Sequence, residues 1–232
     1  MRLWLAVGLT VLVASATRAE VPLPPPLETG HLLGKGLPAG TPPVPLTDQL
    51  FILGWSPQGA LAVVERRTIG SGFEPRLRVY DLVEDRILYQ SVWSDWKDPG
   101  NLAPWWADRQ SELAQVFDRF HLGSVDYQLG EFPLILDNEF YSLATRLTSE
   151  LASAQEKDRL RAIVRSTGRG LKTVLDNQGL WRWAAPLGFV PSPFEDRLAL
   201  VLLVQPVGWA GATQPLRFVI SGLSLKAGFP KP

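Results

Sequence analysis

A chain of 232 residues in which 46% of the side chains are hydrophobic can bury one sizeable core or two small ones. Its 23 basic and 23 acidic residues cancel, so no net field draws it to nucleic acid or to an anionic membrane. With no cysteine and only two histidines, disulfides, thiolate catalysis and a histidine-built zinc site are excluded.

The N-terminus reads as a secretory signal. Arg2 precedes the apolar run LWLAVGLTVLVASA, and small residues allow cleavage after Ala16 or Ala19. The run is shorter than the roughly 20 residues a spanning helix needs. Residues 1–19 are therefore expected to be removed, leaving a periplasmic or secreted protein with no integral membrane segment. Loss of Arg2 and Arg18 makes that mature chain slightly acidic.

Residues 20–47 carry eight prolines. Proline lacks an amide N–H and restricts the residue before it, so this leader forms neither helix nor central strand. It reads as an extended, polyproline-like segment: a spacer, a strap lying along the domain, or a ligand for an aromatic-lined groove. A single mostly-β domain is expected over 48–228.

Two apolar runs, LFILGW and ALAVVE, flank Ser56-Pro57-Gln58-Gly59. Pro in the second place and Gly in the fourth suit a type I turn, so the pair is a hairpin. RLRVYDL alternates with period two, and ILYQSVW resumes after an acidic turn. Residues 50–93 thus read as a four-stranded antiparallel meander. A turn-rich, tryptophan-rich stretch follows. Beyond Pro104 the period becomes helical: Leu113, Val116, Phe117 and Phe120 share a face. One amphipathic helix over 106–121 is expected, capped by Asp108 or Ser111 and stopped at Gly123.

FPLIL and FYSLATRLTSE read as strands, and the Ala-rich LASAQEKDRL as strand or short helix. RLRAIVRS and LKTVLD form a hairpin around TGRG. WRWAAPLGFV, DRLALVLLVQ and PLRFVISGLSL complete the strands, residues 198–204 being apolar on consecutive positions as in a strand buried on both faces.

An internal echo links LGWSPQG-ALAVVE to LGFVPSPFEDRLALVLL, with Gly54 aligned on Gly188 and Arg78 on Arg217. The first unit resembles a blade of periplasmic propellers, which carry a Trp-Ser-Pro-Asp-Gly turn, although Gln58 stands at the acidic position. Two units do not close a ring of at least four blades. The expected fold is mainly β: an antiparallel sandwich or curved sheet from two blade-like meanders, with the helix packed on it. The second unit, through Ser192, Pro193, Phe194, Glu195 and Arg197, resembles an uncharacterised family of bacterial predicted secreted proteins. That resemblance implies export and a mostly-β domain, and no activity.

Chemistry is sparse. His31 lies in the leader, and His121 ends the helix, where a cation suits the helix dipole. No Gly-x-Ser-x-Gly elbow is present, DNEFYS lacks the acid ladder of a calcium loop, and no metal or cofactor is expected. Trp55, Pro57 and Gly59, like Ser192, Pro193, Glu195 and Arg197, are expected to shape turns. Aromatics in loops stack on sugars or anchor partners. This makes Trp93, Trp96, Trp105, Trp106 and Trp209, with the loops 69–74 and 208–214, the expected surface for an envelope protein or glycan. The reading is an exported, non-catalytic binding protein. The alternative is a carboxylate-dependent hydrolase of envelope glycan, which requires two acids facing one cleft, Glu195 and Asp137 being the available pair.

Overall fold

The computed structural model describes residues 20–27, 48–69, 72–93, 102–124, 127–150, 157–179, 181–206 and 216–230. The signal segment, the leader beyond residue 27 with His31, Trp96, Trp209 and the loop 208–214 lie outside the described residues, as do residues 70 and 71 of the loop 69–74. The described chain is mainly β, with three antiparallel sheets and two short helices.

The first sheet is the expected meander, β1 (Gln49–Trp55), β2 (Ala60–Ile69), β3 (Gly72–Asp81) and β4 (Arg86–Val92), in sequence order. Its first turn closes when Gly59 N–H donates to the Ser56 carbonyl at 3.1 Å, with Gly59 at φ 83°. The Ser56 hydroxyl oxygen also accepts from the N–H groups of Gln58 and Ala60, at 3.2 and 3.0 Å.

The expected single helix is two: α1 (Ala103–Asp108) and α2 (Gln110–Phe120), interrupted at Arg109. The start moves forward because Pro104, with no N–H to lose, fits the first helical turn. Neither Asp108 nor Ser111 makes a capping side-chain bond. The left-handed C-cap residue is His121 (φ 52°, ψ 45°) rather than Gly123. Gly123 instead exchanges backbone hydrogen bonds with Trp55 at the edge of β1.

The third sheet comprises β5 (Leu134–Leu136), β6 (Glu139–Glu150), β7 (Lys157–Ser166) and β8 (Gly170–Gly179). Asp137 and Asn138, both at positive φ, form the two-residue turn between β5 and β6. Residues 157–160, where helix was one option, belong to β7, whose Leu160, Ala162 and Val164 point inward on alternate positions. The middle sheet has β10 (Arg197–Pro206) between β9 (Trp181–Pro191) and β11 (Arg217–Ser224).

The alternation of side chains stacks these pieces in four layers. Phe51, Leu53, Ala62 and Val64 pack under Leu113 and Val116 of α2. The opposite face of the first sheet, with Leu50, Ile52, Leu61 and Val63, packs on Ala199, Val201 and Leu203 of β10. The remaining face of β10, Leu198, Leu200 and Leu202, packs on Ala162 and Val164 of the third sheet. The strand β10 and the first half of β2 are buried on both faces, which is why their sequences run apolar without a break. Each fully buried leucine there contributes about 1.5–3 kcal/mol by leaving water. Among the described residues no helix is long and apolar enough to cross a membrane.

Candidate functional site

The interior between the first and middle sheets is apolar at one end and charged at the other. Along β2 the face that carries Leu61 and Val63 continues with Glu65 and Arg67. Glu65 stands opposite Leu50 on β1 and Arg76 on β3, and is only 3% exposed. Arg78 Nη1 donates to Glu65 Oε2 at 3.2 Å and to the Tyr80 hydroxyl at 3.3 Å, while its Nε donates to Gln90 Oε1 at 2.9 Å.

Asp48, 2% exposed, sits beside this pair. Its Oδ1 accepts the Thr68 N–H at 2.7 Å, and its Oδ2 accepts Arg217 Nη1 at 2.6 Å. Arg217 also donates to the Thr68 carbonyl at 3.3 Å, tying β11 to the end of β2. Arg76 is bound by Glu74. Arg67 stands 3.9 Å from Glu65, and among the described residues its buried Nε has no hydrogen-bond acceptor.

Burial dominates the electrostatics. It pushes the Glu65 carboxyl above its ordinary 4.5, against the pull of Arg78 and Arg67. It lowers Arg67 and raises the Tyr80 hydroxyl. Four guanidiniums, Arg67, Arg76, Arg78 and Arg217, surround three carboxylates, Asp48, Glu65 and Glu74. A buried group whose pKa is perturbed by desolvation and by specific charges is a functional-site candidate. This arrangement suits recognition of an anionic group: the planar guanidinium fork matches a carboxylate or phosphate. It lies at the end of the stack where β2 ends, β3 starts and β11 begins; residues 69 and 72–74, expected in a loop, belong to β2 and β3. The expected surface did not include Glu65, Asp48, Arg67 or Arg76. The available signal was parity: in ALAVVE the acid falls on the same face as Leu61 and Val63.

The expected tryptophan surface is placed differently. Trp105 and Trp106 are interior, 2% and 4% exposed, in the core between the helices and the first sheet. The early start of α1 turns both rings inward. Trp93 is half-buried and packs edge-on against Trp105 at 5.0 Å, with the Arg109 guanidinium 5.5 Å from its ring. Trp96 and Trp209 lie outside the described residues.

The two Pro-bearing turns meet at one corner, where a Cβ on Gly59 would stand 3.1 Å from Glu195 Oε1. Trp55 beside them is fully buried. In the second turn the Ser192 hydroxyl oxygen accepts the Phe194 N–H at 3.2 Å, and Arg197 Nε donates to Glu195 Oε1 at 2.8 Å. Arg197 Nη1 reaches across to the Leu82 carbonyl at 2.9 Å, linking the middle sheet to the β3–β4 turn. Asp137 is exposed in its hairpin turn and shares Lys226 with Asp196. Glu195 is paired to Arg197, and Asp137 stands 3.9 Å from Lys226. Among the described residues no group of three His, Asp or Glu side chains is placed to hold a metal ion.

No family model, curated protein or solved structure matches the chain, so its own geometry carries the functional reading.

Proposed function

We propose that this protein is an exported, non-catalytic binding module that holds an anionic group of a cell-envelope partner, protein or glycan, at the charged end of its sheet stack. The observation that carries the reading is Arg67. It is a half-buried guanidinium whose buried Nε lacks an acceptor among the described residues, in a cluster that, among those residues, has one more arginine than carboxylates. Export rests on the Arg2 and LWLAVGLTVLVASA pattern. The half-buried Trp93, at the opposite face of the first sheet, is not required.

Immobilised mature protein is expected to retain a partner from the exported fraction. Arg67→Gln lowers the recovery by about tenfold, the effect of losing one charge-assisted hydrogen bond, while Trp93→Ala leaves it unchanged. Equal recovery by wild type and Arg67→Gln defeats the assignment. Export is checked separately: the intact mass of the protein from the periplasmic fraction or medium should correspond to a chain beginning after Ala16 or Ala19.

A further inference from the structure

The start of the leader is bound to the domain as a ligand would be. Val21 buries its side chain in the core under the helices, 7% exposed. Its main chain is read completely: Val21 N–H donates to Gln110 Oε1 at 2.8 Å, and its carbonyl accepts from Gln110 Nε2 at 2.9 Å and from the Trp106 indole N–H at 2.7 Å. One glutamine amide thus pairs with one residue as a strand partner does, and the indole adds a third bond. Leu27 makes the second anchor. Its side chain enters the core between the first and middle sheets, and its N–H donates to the Leu50 carbonyl at 2.8 Å.

Between the anchors lie Pro22, Leu23, Pro24, Pro25 and Pro26, most of them exposed. Proline holds this bridge extended without needing partners for its missing N–H groups. Beyond Val21 an open groove of about 480 Å³ continues along α2, lined by Glu20, Ala114, Phe117, Asp118, His121 and Leu122 among others. An indole N–H donating to the carbonyl before a proline, beside an apolar pocket, is how aromatic-lined grooves hold extended proline-containing peptides.

We propose that the α1–α2 face, together with the neighbouring edge of β1, is a peptide-binding site for extended segments in which an apolar residue precedes proline, and that residues 20–27 occupy it in cis as an exchangeable ligand. Selection is narrow at two places, Val21 and Leu27, and loose between them, because the other contacts are to main chain or absent. The Val21 anchor lies on the opposite face of the first sheet from the charged cluster, whereas the Leu27 anchor enters the core between the first and middle sheets, its N–H on the carbonyl of Leu50, the residue opposite Glu65. Residues 28–47 join the strap covalently to the domain, so its rebinding is intramolecular and outcompetes a free peptide. A free peptide therefore enters only when the tether is cut or the anchor is weakened.

The test uses the full mature chain with a protease site inserted within 28–47. After cutting, a fluorescent peptide of sequence EVPLPPPL is expected to bind saturably, read by anisotropy, and native mass spectrometry should show it replacing the released strap. The uncut chain binds it at least roughly tenfold more weakly. The same peptide with aspartate for valine does not bind, and Gln110→Ala weakens binding in the cut protein. In the uncut chain Gln110→Ala exposes residues 20–27 to proteolysis while the melting transition of the domain persists. The proposal is overturned if the cut protein keeps its own strap without exchange, if it loses the strap without taking up the peptide, or if cutting unfolds the domain.

Discussion

The strands β1–β3 and β9–β11 make the same local construction and put it to different use. In β1 the register against β2 skips Leu53, leaving Gly54 opposite Ala62. In β9 the register against β10 skips Leu187, leaving Gly188 opposite Val201. The next residue in each case exchanges two backbone hydrogen bonds with a glycine outside the sheet: Trp55 with Gly123 at 3.1 and 2.9 Å, Phe189 with Gly130 at 2.9 and 2.7 Å. Gly123 thus bridges to the first sheet and Gly130 to the middle sheet. Ala62 faces Val79 and Val201 faces Ile220, so the structural match places Arg76, not Arg78, on Arg217.

Equivalent positions face the same way along the stack, as successive propeller blades do, rather than toward each other. Leu53 points to the helices and Leu187 to the first sheet; Trp55 points to the middle sheet and Phe189 to the third. The difference is in what covers each sheet and in one charge pair. Where the first sheet has Glu65 and Arg78 facing its neighbour, the middle sheet has Val204 and Val219. The shared bulge fixes the backbone, and the faces are free to take different covers.

Importing the middle sheet's residues into the first gives the largest expected effect. Glu65→Val leaves Arg78 and Arg67 without their carboxylate and should cost about 3–5 kcal/mol, the loss typical of one partner removed from a buried pair. Glu65→Val with Arg78→Val removes both charges and should regain most of that loss. Urea unfolding of the four proteins in the cycle measures it, and additive losses would refute the coupling. The pH dependence has a definite sign. Folded Glu65 holds its proton more tightly than unfolded, so its contribution is fully present below about pH 4.5 and is lost as pH rises through the folded value. Wild-type stability should therefore fall relative to Glu65→Gln as pH is raised from 4 to 7. Carboxylates of the third sheet behave oppositely. Hydrogen bonds from Ser166, Tyr141 and Arg169 lower Glu139, and Arg159 lowers Asp176. Their contribution is present above the ordinary carboxylate range and is lost as pH falls through the folded values.

The paired bulges come next. A Cβ on Gly188 would stand 2.4 Å from the Gly130 carbonyl oxygen, and one on Gly54 2.7 Å from that of Gly123. Both obstacles are backbone, so each Gly→Ala change should cost about 1–3 kcal/mol by overpacking, with Gly188 the more sensitive. Thermal melts rank them. If only one of the two matters, the bulges are not equivalent supports.

Much of this construction is legible in the sequence and some is not, for a physical reason. Alternation and turn residues mark strands and faces, so the first meander, the hairpin at TGRG and the doubly buried 198–204 can be read directly. Alternation gives the parity of a side chain but not its partner. It therefore leaves open that 134–179 form a separate sheet, and that the face bearing Glu65 meets Arg78 rather than water. Pro104 admits a helical turn earlier than the apolar period begins, which places Trp105 and Trp106 in the core rather than on the expected surface. A strap was one of three readings of the leader, and its start being held by Gln110 was not legible, since nothing local to an exposed-looking glutamine in a helix points to a segment 89 residues away.

The smallest expected effect separates the two members of the second turn. Glu195 and Arg197 pair at 2.8 Å, but only Arg197 also bonds to the Leu82 carbonyl. Glu195→Ala removes a partly exposed ion pair and should cost at most about 1 kcal/mol. Arg197→Ala also leaves the Leu82 carbonyl without this donor, adding about 1 kcal/mol, the net value of a typical hydrogen bond. The first sheet has no counterpart to this link: Pro57 and Gln58 occupy its turn, and no salt bridge spans it among the described residues. Denaturant midpoints for Glu195→Ala, Arg197→Ala and the double variant decide the matter. If Glu195→Ala is as damaging as Arg197→Ala, the carboxylate is holding the corner itself, and the arginine's reach to Leu82 is incidental to how the two sheets are joined.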